Sequence, residues 1–66
     1  MKVKELEFDK ELETICFLSI SKNGKIMMKE YTKNNLPKKY YNMEVMEHNY
    51  EDDGRCLEIW VMNMNV

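Results

Sequence analysis

Three side chains in this 66-residue sequence can attack a substrate or move a proton near neutral pH: Cys16, Cys56 and His48. A thiolate–imidazole pair needs both groups within hydrogen-bond reach and a third group to orient the base. Strand alternation sends His48 to the side of Met46 and Tyr50, and Cys56 to the other side. The two cysteines lack a Cys-x-x-Cys spacing, and a structural zinc ion wants four ligands, so no metal is expected. Two reduced, buried thiols are the simpler assignment. The carboxylates Glu44, Glu47, Glu51, Asp52 and Asp53 fall on a strand and a turn, where water solvates them. Asp52-Asp53-Gly54 lacks the twelve-residue ligand spacing of a calcium loop. Gly24 and Gly54 are each needed by a turn, which leaves no glycine-rich phosphate loop. The expectation is a chain with no catalytic residue, no cofactor and no enzymatic activity.

Binding chemistry is better represented. Lys25, Lys29 and Lys33 alternate with Met27 and Tyr31, and Lys38, Lys39, Tyr40 and Tyr41 follow. Cations beside aromatic planes are the parts that hold phosphates and stack bases. The lysines and tyrosines among them are the candidate contacts for an anion, a nucleotide or a nucleic acid. The slight net charge of −2 weighs against that reading. Apolar residues make a second candidate set. Trp60, Met62, Met64 and Val66 lie along the last strand, with Met43 and Val45 across from it. An apolar terminal strand of that length suits pairing with a sister subunit or a protein target. The favoured function is therefore a small non-enzymatic binding protein that self-associates. It would occlude a macromolecular partner or sequester a signal molecule, in the manner of an inhibitor from a phage or mobile element. The alternative is a small β module that binds nucleic acid or nucleotides through residues 25–41.

These side chains must be positioned by a short chain. Sixty-six residues make a single domain, 1–66, and a domain this small buries only about 60% of its unfolded surface. A partner chain would supply the missing burial, so a homo-oligomer is expected. Residues 21–41 carry six lysines and one acid, and residues 42–66 carry six acids and one arginine. Segments of opposite charge suggest complementary contacts within or between protomers. Alanine and glutamine are absent and arginine occurs once, while Lys, Asn, Met and Tyr are abundant, and Lys, Asn, Ile and Tyr have AT-rich codons. That composition underlies the expected phage-like origin. No stretch approaches the length of a membrane span and the first residues hold no apolar signal core, so a cytoplasmic protein is expected.

The strongest element is a hairpin from Met43 to Val66 around Asp53-Gly54. Aspartate followed by glycine, flanked by alternating apolar residues, signals a two-residue type I′ turn. Asp52 then faces Arg55, Tyr50 faces Leu57, His48 faces Ile59 and Met46 faces Val61. The other side pairs Glu51 with Cys56, Asn49 with Glu58, Glu47 with Trp60, Val45 with Met62 and Met43 with Met64. A second hairpin is expected around Asn23-Gly24, with Ile20 opposite Met27, Leu18 opposite Lys29 and Cys16 opposite Tyr31. Residues 2–12 alternate with period two and predict a strand, or two strands joined near Asp9-Lys10-Glu11. Lys33 to Pro37 reads as a loop. Short helices over residues 3–13 or from Pro37 to about Asn49 are the alternatives. The predicted fold is all-β, or α+β with one short helix. It has four to five antiparallel strands in meander order, as a curled sheet or small open barrel.

Overall fold

Two antiparallel hairpins lie side by side in the computed structural model, which describes residues 1–62. Strands β1 (Thr14–Ile20) and β2 (Ile26–Thr32) form the first, and β3 (Val45–Glu51) and β4 (Cys56–Val61) the second. The hairpins join through β1 and β4, which run parallel, in the order β2-β1-β4-β3. The all-β class stands. Among the described residues the only helical pieces are three 3-10 turns, Val3–Glu5, Lys33–Asn35 and Lys38–Tyr40.

The meander order does not stand, because the central pair is parallel, and the sheet is open with β2 and β3 at its edges. Residues 33–44 leave one edge strand and reach the other. On the way they place Leu36 and Tyr40 against Phe17 and Ile59. A four-strand meander would leave both faces bare. The crossing segment covers one of them. The N-terminal segment completes that cover instead of adding strands. Val3 and Lys4 donate their amides to the carbonyls of Met43 and Tyr41, at 3.0 Å each. Val3, Leu6 and Leu12 are buried in the same cluster. The expected turn near Asp9 does form, with the Leu12 amide on the Asp9 carbonyl at 3.1 Å, but no strand pair flanks it.

The inner face carries the rows Tyr31–Ile15–Leu57–Tyr50 and Lys29–Phe17–Ile59–His48, with the pairs Met27–Ser19 and Val61–Val45 beyond them. Ile15, Phe17, Leu57, Ile59 and Tyr40 are fully buried there. The Phe17 and Tyr40 rings stack with centroids 4.2 Å apart. The Tyr31 and Tyr40 hydroxyls share a hydrogen bond of 3.0 Å.

The two turns differ from the two-residue type I′ loops expected, with different effects on register. From Glu51–Cys56 to Glu47–Trp60 the second hairpin has the register expected from its sequence. Its loop is longer than the two residues predicted. Asp52, Asp53 and Gly54 all take positive φ, at 54°, 55° and 87°. The Gly54 and Arg55 amides bond to the carbonyls of Glu51 and Asp52. Four loop residues keep the parity that two would give. Next to Met46 the register shifts, so Val45 faces Val61 in place of Met62. A bulge of this kind adds one residue to one strand and re-aims its neighbours.

The first hairpin departs by one residue: Ile20 faces Ile26, Leu18 faces Met28 and Cys16 faces Glu30. Asn23 is not among the positive-φ residues, so the turn is not type I′. The Gly24 amide bonds to the Ser21 carbonyl, and the Ser21 amide to the Lys25 carbonyl. That is a type I turn followed by a left-handed glycine at φ 78°, which needs one positive φ where type I′ needs two. The odd loop turns Tyr31 inward, beside Ile15 and within reach of Tyr40.

Candidate functional site: the outer face of the sheet

The outer face has four rows, read from β2 across to β3. The first is Thr32–Thr14–Cys56–Glu51, and the second is Glu30–Cys16–Glu58–Asn49. The third is Met28–Leu18–Trp60–Glu47. Ile26 and Ile20 begin the fourth, with Met62 following β4 at the same end. Among the described residues nothing is packed over these rows. Ile20, Ile26, Met28, Met46 and Met62 are 61–78% exposed. Trp60 and Leu18 are half-buried among them. Ile20, Met46, Glu47, Trp60, Val61 and Met62 line a shallow hollow at this end.

The face is divided along its strands. The Ile20 end is apolar. At the Thr14 end Glu30 and Glu58 flank Cys16 on neighbouring strands, and Glu51 stands beside Cys56. Both thiols are pushed above their ordinary range. Burial is the main cause, and the carboxylates Glu30, Glu58 and Glu51 add to it. Neutral thiols held this way are poor nucleophiles and poor metal ligands. Among the described residues no group of three or more His, Cys, Asp or Glu is placed to hold a metal ion.

The structure divides the expected interface set. Trp60 and Met62 lie on the outer face. Met43 and Val45 pack against the inner cluster, because the bulge turns Val45 toward Val61. Met64 and Val66 lie outside the described residues. Sequence reasoning missed Leu18, Ile20, Ile26, Met28 and Met46 as companions of Trp60. Ile26 and Met28 were hidden by the one-residue register error, and Leu18 and Ile20 by the unforeseen parallel pairing of β1 with β4. Met46 was hidden by the bulge, which no local residue pattern announces.

The lysine–tyrosine set does not form one surface. Tyr31, expected to face a ligand with the lysines, faces the inner cluster, as does its strand neighbour Met27. Tyr40 is fully buried against Phe17, so its ring has no free face for a base. Lys39 lies 5.4 Å from the Tyr40 ring centroid, an internal cation–π contact. Lys33 donates to the Asp9 carbonyl at 2.9 Å. Lys25, Lys29 and Lys38 are exposed, and Tyr41 is 40% exposed. His48 is on the inner side, its ring set edge-on to Tyr50 at 6.0 Å. Both thiols are on the outer side, so the sheet itself separates imidazole from sulfur. No helix among the described residues is long and apolar enough to cross a membrane. No protein-family model, no curated protein and no solved structure matches this chain.

Proposed function

We propose that this chain is a non-enzymatic binding protein that docks a protein partner on the outer face of its sheet and acts by occluding that partner. One observation carries the reading: five large apolar side chains stand 61–78% exposed on one end of one face. Fully burying such a side chain is worth about 1.5–3 kcal/mol, so covering two-thirds of five yields roughly 5–10 kcal/mol. Loss of translational and rotational freedom costs roughly 4–15 kcal/mol. Apolar contact alone therefore supports a weak complex, and a tight one needs polar complementarity as well. Single exposed apolar residues are ordinary on a protein surface, but a contiguous set around a tryptophan marks an interaction site.

Self-association through the same face is the second reading. It is favoured by the small size of the domain, which leaves one sheet face unburied. The nucleotide-binding alternative is weakened by Tyr40, which occupies the core.

The experiment is a capture assay from extract of cells that express the chain, comparing it with the Met28→Glu/Met62→Glu double variant. Both side chains are exposed, so the variant keeps its fold. The expected result is loss of the captured protein, or of a dimer in sedimentation. Equal capture by both forms, with both monomeric, refutes the outer face as a docking surface.

A further inference from the structure

The charge layout of the outer face selects its occupant. Its four rows hold Glu30, Glu47, Glu51 and Glu58, and no lysine or arginine. The chain's own cations are placed elsewhere. Lys29 projects from the inner side of β2, and Lys33 is bonded to the Asp9 carbonyl. Lys22 and Lys25 are in the β1–β2 loop at the apolar end, away from Glu30 and Glu58. Arg55, in the β3–β4 loop, lies 3.8 Å from Asp52.

Resting on the docking reading above, we infer that the partner presents a protein segment with apolar side chains beside a cluster of lysine or arginine. Its apolar side chains cover Trp60, Met28 and Ile20. Its cations meet Glu30, Glu58 and Glu51 a few residues away along the strands. A second copy stacked face to face brings a second set of carboxylates and no cation within its own rows. Stacked with like ends together, it covers the apolar end but sets carboxylate against carboxylate; stacked head to tail, it brings Lys22 and Lys25 toward the acidic end but leaves the apolar ends without apolar cover. Anionic surfaces, whether nucleic acid or acidic lipid, are repelled by the acidic end.

Trp60 is the only tryptophan and lies on this face, so its emission reports directly on cover. Three synthetic peptides without tryptophan make the test. One joins a leucine–isoleucine cluster to four lysines. The second replaces the lysines with glutamates. The third keeps the lysines and replaces the apolar cluster with serines. The lysine–apolar peptide is expected to shift Trp60 emission at low salt and bind at least about tenfold more tightly than the other two. Its affinity is expected to fall as salt rises, since exposed charge pairs are screened. In Glu30→Gln/Glu58→Gln its affinity should drop about three- to tenfold, the range set by two partly exposed ion pairs. The apolar end is untouched in that variant.

Equal binding of the lysine and glutamate peptides overturns the inference while the docking surface stands. So do wild-type dimers that Met28→Glu/Met62→Glu abolishes, because the occupant is then a second copy. Absence of any peptide binding also overturns it. The docking reading falls separately, by the capture assay above.

Discussion

Replacing Tyr40 with phenylalanine tests the buried aromatic cluster that ties the crossing segment to the sheet. The Tyr40 ring is stacked on Phe17, and its hydroxyl reaches the Tyr31 hydroxyl at 3.0 Å. Phenylalanine keeps the stack and removes that hydrogen bond, worth about 1 kcal/mol. The variant should therefore be less stable by about 1 kcal/mol at pH 7. Alkaline pH reverses the order. Burial first, then the Tyr31 hydroxyl, pushes the Tyr40 phenol up to about 12. In the unfolded chain a tyrosine ionises near pH 10. The folded state thus holds Tyr40 neutral, and this term is fully present below pH 10. It is lost as pH rises from 10 toward 12, because the unfolded chain releases the proton first. The loss is about 1.4 kcal/mol per pH unit, or roughly 2–3 kcal/mol over the window. The phenylalanine variant lacks the term. Its stability curve should cross that of the parent near pH 11. Urea unfolding followed by Trp60 fluorescence, repeated from pH 7 to pH 11.5, measures both curves. The cysteines lie on the other face of the sheet and are common to both proteins, so their contribution cancels in the difference. Parallel curves across pH 9–11.5 would refute the assignment of Tyr40 as a buried phenol under the sheet.

Three further outcomes follow from particular residues. Gly24→Ala should cost about 1 kcal/mol in a thermal or urea melt. A Cβ there meets nothing within 4 Å, so the left-handed φ of 78° is the sole penalty; an unchanged melt would contradict the turn. Cys56, half-buried, should react with a disulfide reagent at pH 8 before the buried Cys16, and both more slowly than in denaturant. Their raised thiol values also predict stability that is present below about pH 9 and declines above it. Equal, fast reaction of both in the folded state would show that the outer face is more open than described. Phe17→Ala, at the centre of the inner face, should cost about 3–5 kcal/mol by leaving a cavity, and leave the domain largely unfolded. Retention of a cooperative melt near the parent's would place the core elsewhere.

Local chemistry made much of the architecture legible. Aspartate-glycine and asparagine-glycine marked two hairpins, and both formed. From Glu51–Cys56 to Glu47–Trp60 the register followed from alternation alone, since a one-residue slip would send Leu57 and Ile59 to the outside. In the first hairpin alternation was ambiguous, because Ile26, Met27 and Met28 are apolar on both parities. Nothing in the turn sequence distinguished two loop residues from three. The packing of Tyr31 against Tyr40 and Phe17 made that choice, and Tyr40 is nine residues further on. The candidate site inherited the same uncertainty. Trp60 and Met62 were identifiable as an unpartnered apolar strand side. Their companions Leu18, Ile20 and Met28 belong to that surface only because β1 lies parallel to β4.

The sequence by itself determined an all-β chain with two hairpins and a surplus of apolar side chains that one small core cannot bury. These are properties of nearest neighbours: turn residues, period-two alternation and side-chain inventory. Tertiary structure alone decided which hairpin edges meet, which face the crossing segment covers, and hence which surface is left open. The physical reason is that strand order is set by long-range burial. Leu36 and Tyr40 gain by lying under Phe17 and Ile59, and no local pattern in residues 33–44 encodes that destination.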